Sequence, residues 1–138
     1  MENNGDALLS VLQLKNLYFE KINFTRDTNL PKKFQTKFST QFNEISTSEI
    51  VVKLHCNITS DTKFMLDITL VGCFKNNETD PTNKEQINKT NTISIMFPYL
   101  RSEVSLVTAQ PNFPTIDLPV VNINALLEEQ GELVGSRA

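Results

Sequence analysis

The 138-residue sequence contains no tryptophan, one histidine, two cysteines and four glycines, and each scarcity removes a class of chemistry. One His and two well-separated Cys provide no ligand pair at the short spacings of zinc sites. A thiol–imidazole dyad would have to join His55 to Cys56, but neighbours in a strand point to opposite faces and cannot reach one another. So few glycines leave no loop to cradle a phosphate. Glu128 and Glu129 read as a solvated face of a terminal helix. The expectation is therefore no enzyme, no metal and no cofactor. Lysine and arginine number 13 against 16 acidic residues, a formal net charge of −3, which disfavours a phosphate-backbone ligand. No apolar run is long enough to cross a bilayer, and MENNGDALLSVLQL carries neither the cationic nor the apolar region of a signal peptide. We expect no membrane insertion, a cytoplasmic location and two reduced thiols. Asn-x-Ser/Thr triplets begin at Asn23, Asn57, Asn77 and Asn88, and in this setting they follow from an Asn- and Thr-rich composition.

What is present is apolar alternation. Beyond a polar start through Asp6, Leu12 and Leu14 alternate, then the apolar parity moves to Leu17 and Phe19, and again to Ile22 and Phe24. A regular strand keeps one parity, so the shift near Lys15 and Asn16 predicts a β-bulge or a change of environment. Asp27 to Pro31 reads as a turn. Phe34, Phe38 and Phe42 then recur at a spacing that a helix or a strand satisfies, and the intervening Thr36 and Thr40 favour the strand. Ile50 to Ile58 and Phe64 to Leu70 form the clearest alternating pair, an antiparallel hairpin turning at Asp61 and Thr62. Lys75 to Asn91 is almost entirely polar and reads as a solvent-exposed crossover, with a helical turn near Lys84 to Ile87 and an extended piece at Ile93 to Met96.

The densest structural instructions lie in MFPYLRSEVSLVTAQPNFPTIDLPVVNINALL, from Met96 to Leu127. Pro98 suits the first position of a helix, while Pro111 and Pro114 close it. Phe97, Leu100, Val104 and Val107 form one apolar stripe. Tyr99 and Leu106, near Ser102, form a narrower second stripe, which points to another surface covering this helix from outside. Ile116, Leu118 and Val120 alternate along a proline-rich extended segment, and Asn122 can cap a last helix from Ile123 to about Gln130 bearing Leu126 and Leu127. The apolar inventory exceeds what a small sheet and two helices hide, which implies oligomerisation, a partner groove, or both.

FPYLR, then a helix, then NFP-x-I-D-LP-V-V-N-I-N-AL resembles the C-terminal half of the SecB family of protein-export chaperones, over about thirty residues in order, spacing and type. LQLKNLYFEKINF also resembles that family's first strand. The resemblance implies a single α+β domain over 1-138, with 1-6 and 131-138 as loose ends. Its fold would be a four-stranded antiparallel sheet with two C-terminal helices packed on one face, and it would assemble as a homotetramer, a dimer of dimers. It implies an ATP-independent holdase for unfolded or precursor polypeptides, serving export or a dedicated client such as an antitoxin. A non-catalytic scaffold in a fixed complex with a folded partner is the alternative. Carried over residue by residue, Phe38, Phe42, Phe113, Ile116, Leu118, Val120, Leu126 and Leu127 would border a client groove, and Tyr99, Ser102 and Leu106 would lie in the oligomer interface. Asp67 matches an acidic family position for docking the export motor SecA, but Lys21 and Thr25 stand at two others, which weakens attraction to a basic partner.

Overall fold

The computed structural model describes residues 11–129 and 132–135. Strands β1 (Leu12–Thr25), β2 (Phe34–Glu44), β3 (Glu49–Ser60), β4 (Met65–Asn76) and β5 (Glu132–Gly135) form one sheet in the order β1-β4-β3-β2-β5, antiparallel throughout. Helix α1 (Pro81–Gln86) runs through a π turn (Ile87–Asn91) into the long helix α2 (Thr92–Thr108), and α3 (Ile123–Glu129) follows an irregular strap. This is the expected four-stranded antiparallel sheet with its C-terminal helices, extended by the short edge strand β5. Of the two ends read as loose, residues 1–6, 131 and 136–138 lie outside the described residues.

The parity shift in β1 has a mechanical basis. The register slips between Leu14 and Asn16 and again between Phe19 and Lys21. Each slip reverses the alternation once, so Leu14, Leu17, Phe19, Ile22 and Phe24 stand opposite Phe74, Gly72, Leu70, Ile68 and Leu66. Those β4 residues all belong to the face that carries the core. The two bulges thus return these five residues to one side, where an unbroken strand would send Leu17 and Phe19 to the other; Tyr18, opposite Val71, stays on the far face.

That core face is filled by Val52, Leu54, Cys56 and Ile58 from β3 and by Leu66, Ile68, Leu70 and Phe74 from β4, under Ile93, Met96, Phe97, Leu100 and Val104 of α2. At about 1.5–3 kcal/mol for each large apolar side chain fully buried, this layer is the principal stabiliser. Gly72 marks the closest approach of sheet and helix. A Cβ there would fall 2.8 Å from the Phe74 ring and 2.9 Å from the Met96 sulfur.

The helical turn expected near Lys84 to Ile87 is present but extends from Pro81 without a break into the long helix, so Ile93 to Met96 is helical and not the extended piece expected. Asp80 caps α1 by accepting a hydrogen bond from the Asn83 N–H at 3.0 Å, and Pro81 opens the helix, the position where a proline's missing N–H is harmless. The helix was hidden because its first two turns bury little. One buried polar contact anchors it: the Asn76 side-chain amide donates to the Asn88 side chain at 2.9 Å and to the Lys84 carbonyl at 3.2 Å. Pro98 therefore lies inside α2, where it removes one helical hydrogen bond. Pro98 and Ser94, whose carbonyl loses its partner, are both exposed, on the side of the helix where a freed acceptor costs least.

Candidate functional site

The sequence-derived surface residues separate into two groups by depth. Phe38 sits in the core against Phe97, ring centroids 5.6 Å apart, and Leu126 is likewise buried. Ile116 and Leu118 are also buried, at 3% and 5% exposure, while Thr115 before them and Asp117 between them are exposed. The alternation expected to reach Val120 breaks after Pro119. Val120 is 86% exposed, and Val121 packs against the core in its place. Phe42, Phe113 and Leu127 are half-buried along the same layer. Four of the eight residues are thus buried, three are half-buried and Val120 is exposed.

The strap between α2 and α3, which carries Phe113, Ile116, Leu118 and Val120, is pinned to α2 by two hydroxyls. Buried Thr108 accepts a hydrogen bond from the Ile116 N–H at 2.9 Å while donating to the Val104 carbonyl at 2.7 Å. The Ser105 hydroxyl lies 2.8 Å from the Asp117 carboxylate and 3.2 Å from the Ile116 carbonyl. At its start the strap turns through Asn112, whose φ of 58° is left-handed, a conformation that asparagine tolerates better than most residues. Arg26 holds this turn. Its guanidinium donates to the Asn112 carbonyl at 2.9 Å and stacks 4.9 Å from the centre of the Phe113 ring. Phe113 in turn stacks on Phe64 at 5.2 Å and meets the edge of Phe24 at 5.4 Å. The sequence offered no sign of Arg26, because its partners lie more than eighty positions away.

Tyr99, Ser102 and Leu106 are all exposed, Leu106 at 67%. Their spacing places them on one stripe of α2, turned away from the sheet. Leu14 and Ile22 of the edge strand β1 are exposed as well, since α2 packs on β3 and β4, and Tyr18 is exposed on the opposite face of the sheet.

The opposite face of the sheet is polar. Asp67 accepts from Lys21 at 2.7 Å, from His55 Nε2 at 2.5 Å and from Asn57 at 3.3 Å. Partial burial pushes its carboxyl up, but hydrogen bonds from Lys21, Asn57 and His55 outweigh that and hold it below the usual carboxylate range. A polar hollow of about 450 Å³ on this face is lined by Glu20, Ser39, Thr40, Gln41, Lys53, His55 and Thr69, a lining unsuited to apolar ligands. Thr25 is exposed at the end of β1. His55 stands on this face and Cys56 in the core, so the two cannot act together. Burial, with the Asp67 charge adding, pushes the Cys56 thiol up to about 12 and leaves it a packing group. Both cysteines are free. Among the described residues there is no cluster of three metal-ligating side chains, and no helix long and apolar enough to cross a membrane.

The family model described as preprotein translocase subunit SecB matches residues 5–132. The protein-export protein SecB of Hahella chejuensis is 25% identical over 94% of this chain and 89% of its own length. That of Anaplasma phagocytophilum is 31% identical over 49% of this chain, a match spanning 44% of the relative. Among solved structures, the Mycobacterium tuberculosis SecB-like chaperone, in complex with a ChAD peptide from the HigA1 antitoxin, superposes with a TM-score of 0.67 at 18% identity, covering 86% of this chain and 93% of that one.

Proposed function

Because the chain belongs to the SecB family, we propose that it is an ATP-independent holdase that shields extended segments of non-native polypeptide. The observation that carries this reading is the two-level apolar layer. Phe38 and Leu126 are buried, the strap seats its own Ile116 and Leu118 in the same layer through Ser105 and Thr108, and Phe42, Phe113, Val120 and Leu127 are accessible. Client side chains settle on the accessible residues and, when the strap lifts, take the places of Ile116 and Leu118 in the buried layer. Each large apolar client residue so shielded gains about 1.5–3 kcal/mol, and several such contacts along one chain give avidity without nucleotide hydrolysis.

The dedicated-client form is the better fit. Asp67, the one acidic docking position retained, is already occupied by Lys21, His55 and Asn57, and Lys21 and Thr25 offer no carboxylate beside it. A basic docking tail of SecA would meet a neutralised face. The Mycobacterium tuberculosis relative was solved with an antitoxin peptide, and an aggregation-prone antitoxin is the client class we favour. The exposed stripe of Tyr99, Ser102 and Leu106 is the surface through which dimers join into a tetramer.

The test is suppression of aggregation of a chemically unfolded protein without nucleotide, with mass by light scattering in the same sample. The expected result is saturation near one client per four chains, at about 62 kDa for four chains of 15.6 kDa. Tyr99→Glu with Leu106→Glu should give a folded species of lower mass. A folded oligomer that leaves aggregation unchanged, and instead captures a folded partner, would replace the holdase with a scaffold. Tight SecA binding would overturn the dedicated-client preference.

A further inference from the structure

Strand β5 belongs to the chain's own C-terminal region, yet it sits where a foreign strand would. It pairs antiparallel with the start of β2, placing Gly135, Val134, Leu133 and Glu132 opposite Phe34, Gln35, Thr36 and Lys37. Phe34 and Phe38, which flank Thr36 on the core face of β2, belong to the same apolar layer as the candidate client surface. Phe38 lies against Phe97, and Phe34 meets the edge of Phe64, the ring on which Phe113 stacks. A strand laid along this edge therefore runs beside the aromatic line formed by Phe34, Phe64 and Phe113.

We propose that the β2 edge at Phe34–Lys37 is a strand-addition site for extended polypeptide, and that β5 is an internal occupant which a client displaces. The proposal rests on the holdase reading and specifies its binding mode. Backbone pairing suits a chaperone because it reads no sequence, and an apolar residue at every second position suffices to match the layer beneath. The sequence of β5 has that character in miniature. Leu133 takes the register position on the Phe34 and Phe38 side, Glu132 stands opposite Lys37, and Gly135 stands opposite Phe34. The strand is also short enough to release. Four residues contribute few net backbone hydrogen bonds, ordering them costs a comparable free energy, and strands this short need tertiary support. If the docked form is favoured about tenfold, the apparent client affinity falls by about the same factor.

The experiment measures, by fluorescence anisotropy, binding of labelled, reduced and carboxymethylated α-lactalbumin, a permanently unfolded chain. Three proteins are compared: the full chain, a chain ending at Gln130, and Thr36→Cys with Leu133→Cys. The last joins directly opposed strand positions by a disulfide, and thermal unfolding verifies that each is folded. The chain ending at Gln130 should bind about tenfold more tightly than the full chain. The disulfide-locked protein should lose binding when oxidised and regain it on reduction, while the full chain with Cys56 and Cys73 alone should be indifferent to the oxidant. Equal affinity of full and shortened chains, or undiminished binding by the locked protein, overturns the strand-addition site and leaves the holdase intact. Weaker binding by the shortened chain also overturns it, because β5 would then be part of the site. Absence of binding by all three refutes the holdase reading and this proposal together.

Discussion

Thr108→Val tests whether the strap is held as the structure implies. The substitution preserves shape, so it opens no cavity, and it removes a single hydroxyl. The Val104 carbonyl to which that hydroxyl donates lies within α2, where losing a supplementary donor matters little. The other contact decides the outcome: the Ile116 N–H donates to Thr108 at 2.9 Å, and both residues are buried. Leaving a buried N–H without its acceptor costs about 1–3 kcal/mol. In a chain of 138 residues this lowers the melting temperature by roughly 2–4 °C for each kcal/mol. If the strap opens as a unit, part of the loss appears locally. Amide exchange at Ile116 and Leu118 should accelerate by about tenfold or more, corresponding to about 1.4 kcal/mol, while β3 and β4 keep their protection. Client affinity should rise, because the places of Ile116 and Leu118 in the buried layer open more readily. A denaturation midpoint within about 0.5 kcal/mol of the parent, with unchanged exchange at Ile116, would refute the assignment of Thr108 as the strap's anchor.

Gly72→Ala should destabilise by about 1–3 kcal/mol through overpacking, since its methyl group meets the Phe74 ring and the Met96 sulfur inside 3 Å. Combining it with Met96→Ala should recover part of that loss in urea unfolding, and strict additivity would show that the contact is not the cause. The Asp67 carboxyl is depressed in the folded protein, so its contribution is present above the unfolded value near 3.9 and is lost as pH falls through the lower folded value. Asp67→Asn should therefore flatten the stability curve below about pH 4 while lowering stability at neutral pH, and an unchanged acid limb would refute the role of Lys21 and His55 as its partners.

Local patterns were readable wherever one interaction range dominated. The β3–β4 hairpin declared itself by strict alternation. The β1 bulge was visible as a parity shift, since a slip of one residue reverses every side chain beyond it. The crossover helix was not legible by hydropathy, because α1 and the π turn face water and are tied down by the Asn76–Asn88 pair. The Asp80–Pro81 start signal was present, but a polar stretch drew the loop reading. At the candidate site the residue types were found and their depths were not. Ile116 and Val120 belong to one alternating series in sequence, and burial separates them completely. Depth is a property of what packs on top, and nothing in a residue's near neighbours encodes it.

By itself, the order of residues determined the four long strands, the apolar stripes of α2, and a family-specific segment around FPYLR and NFP. Those features follow from periodicity and composition, which act over a few residues at a time. Only the tertiary structure decided that Arg26 clamps the strap, that Lys21 and His55 occupy Asp67, that half of the apolar candidates are buried and half accessible, and that Glu132–Gly135 lies on the edge of β2. Each of these joins residues far apart in the chain, and such contacts exist only once the sheet has fixed which distant side chains share a face.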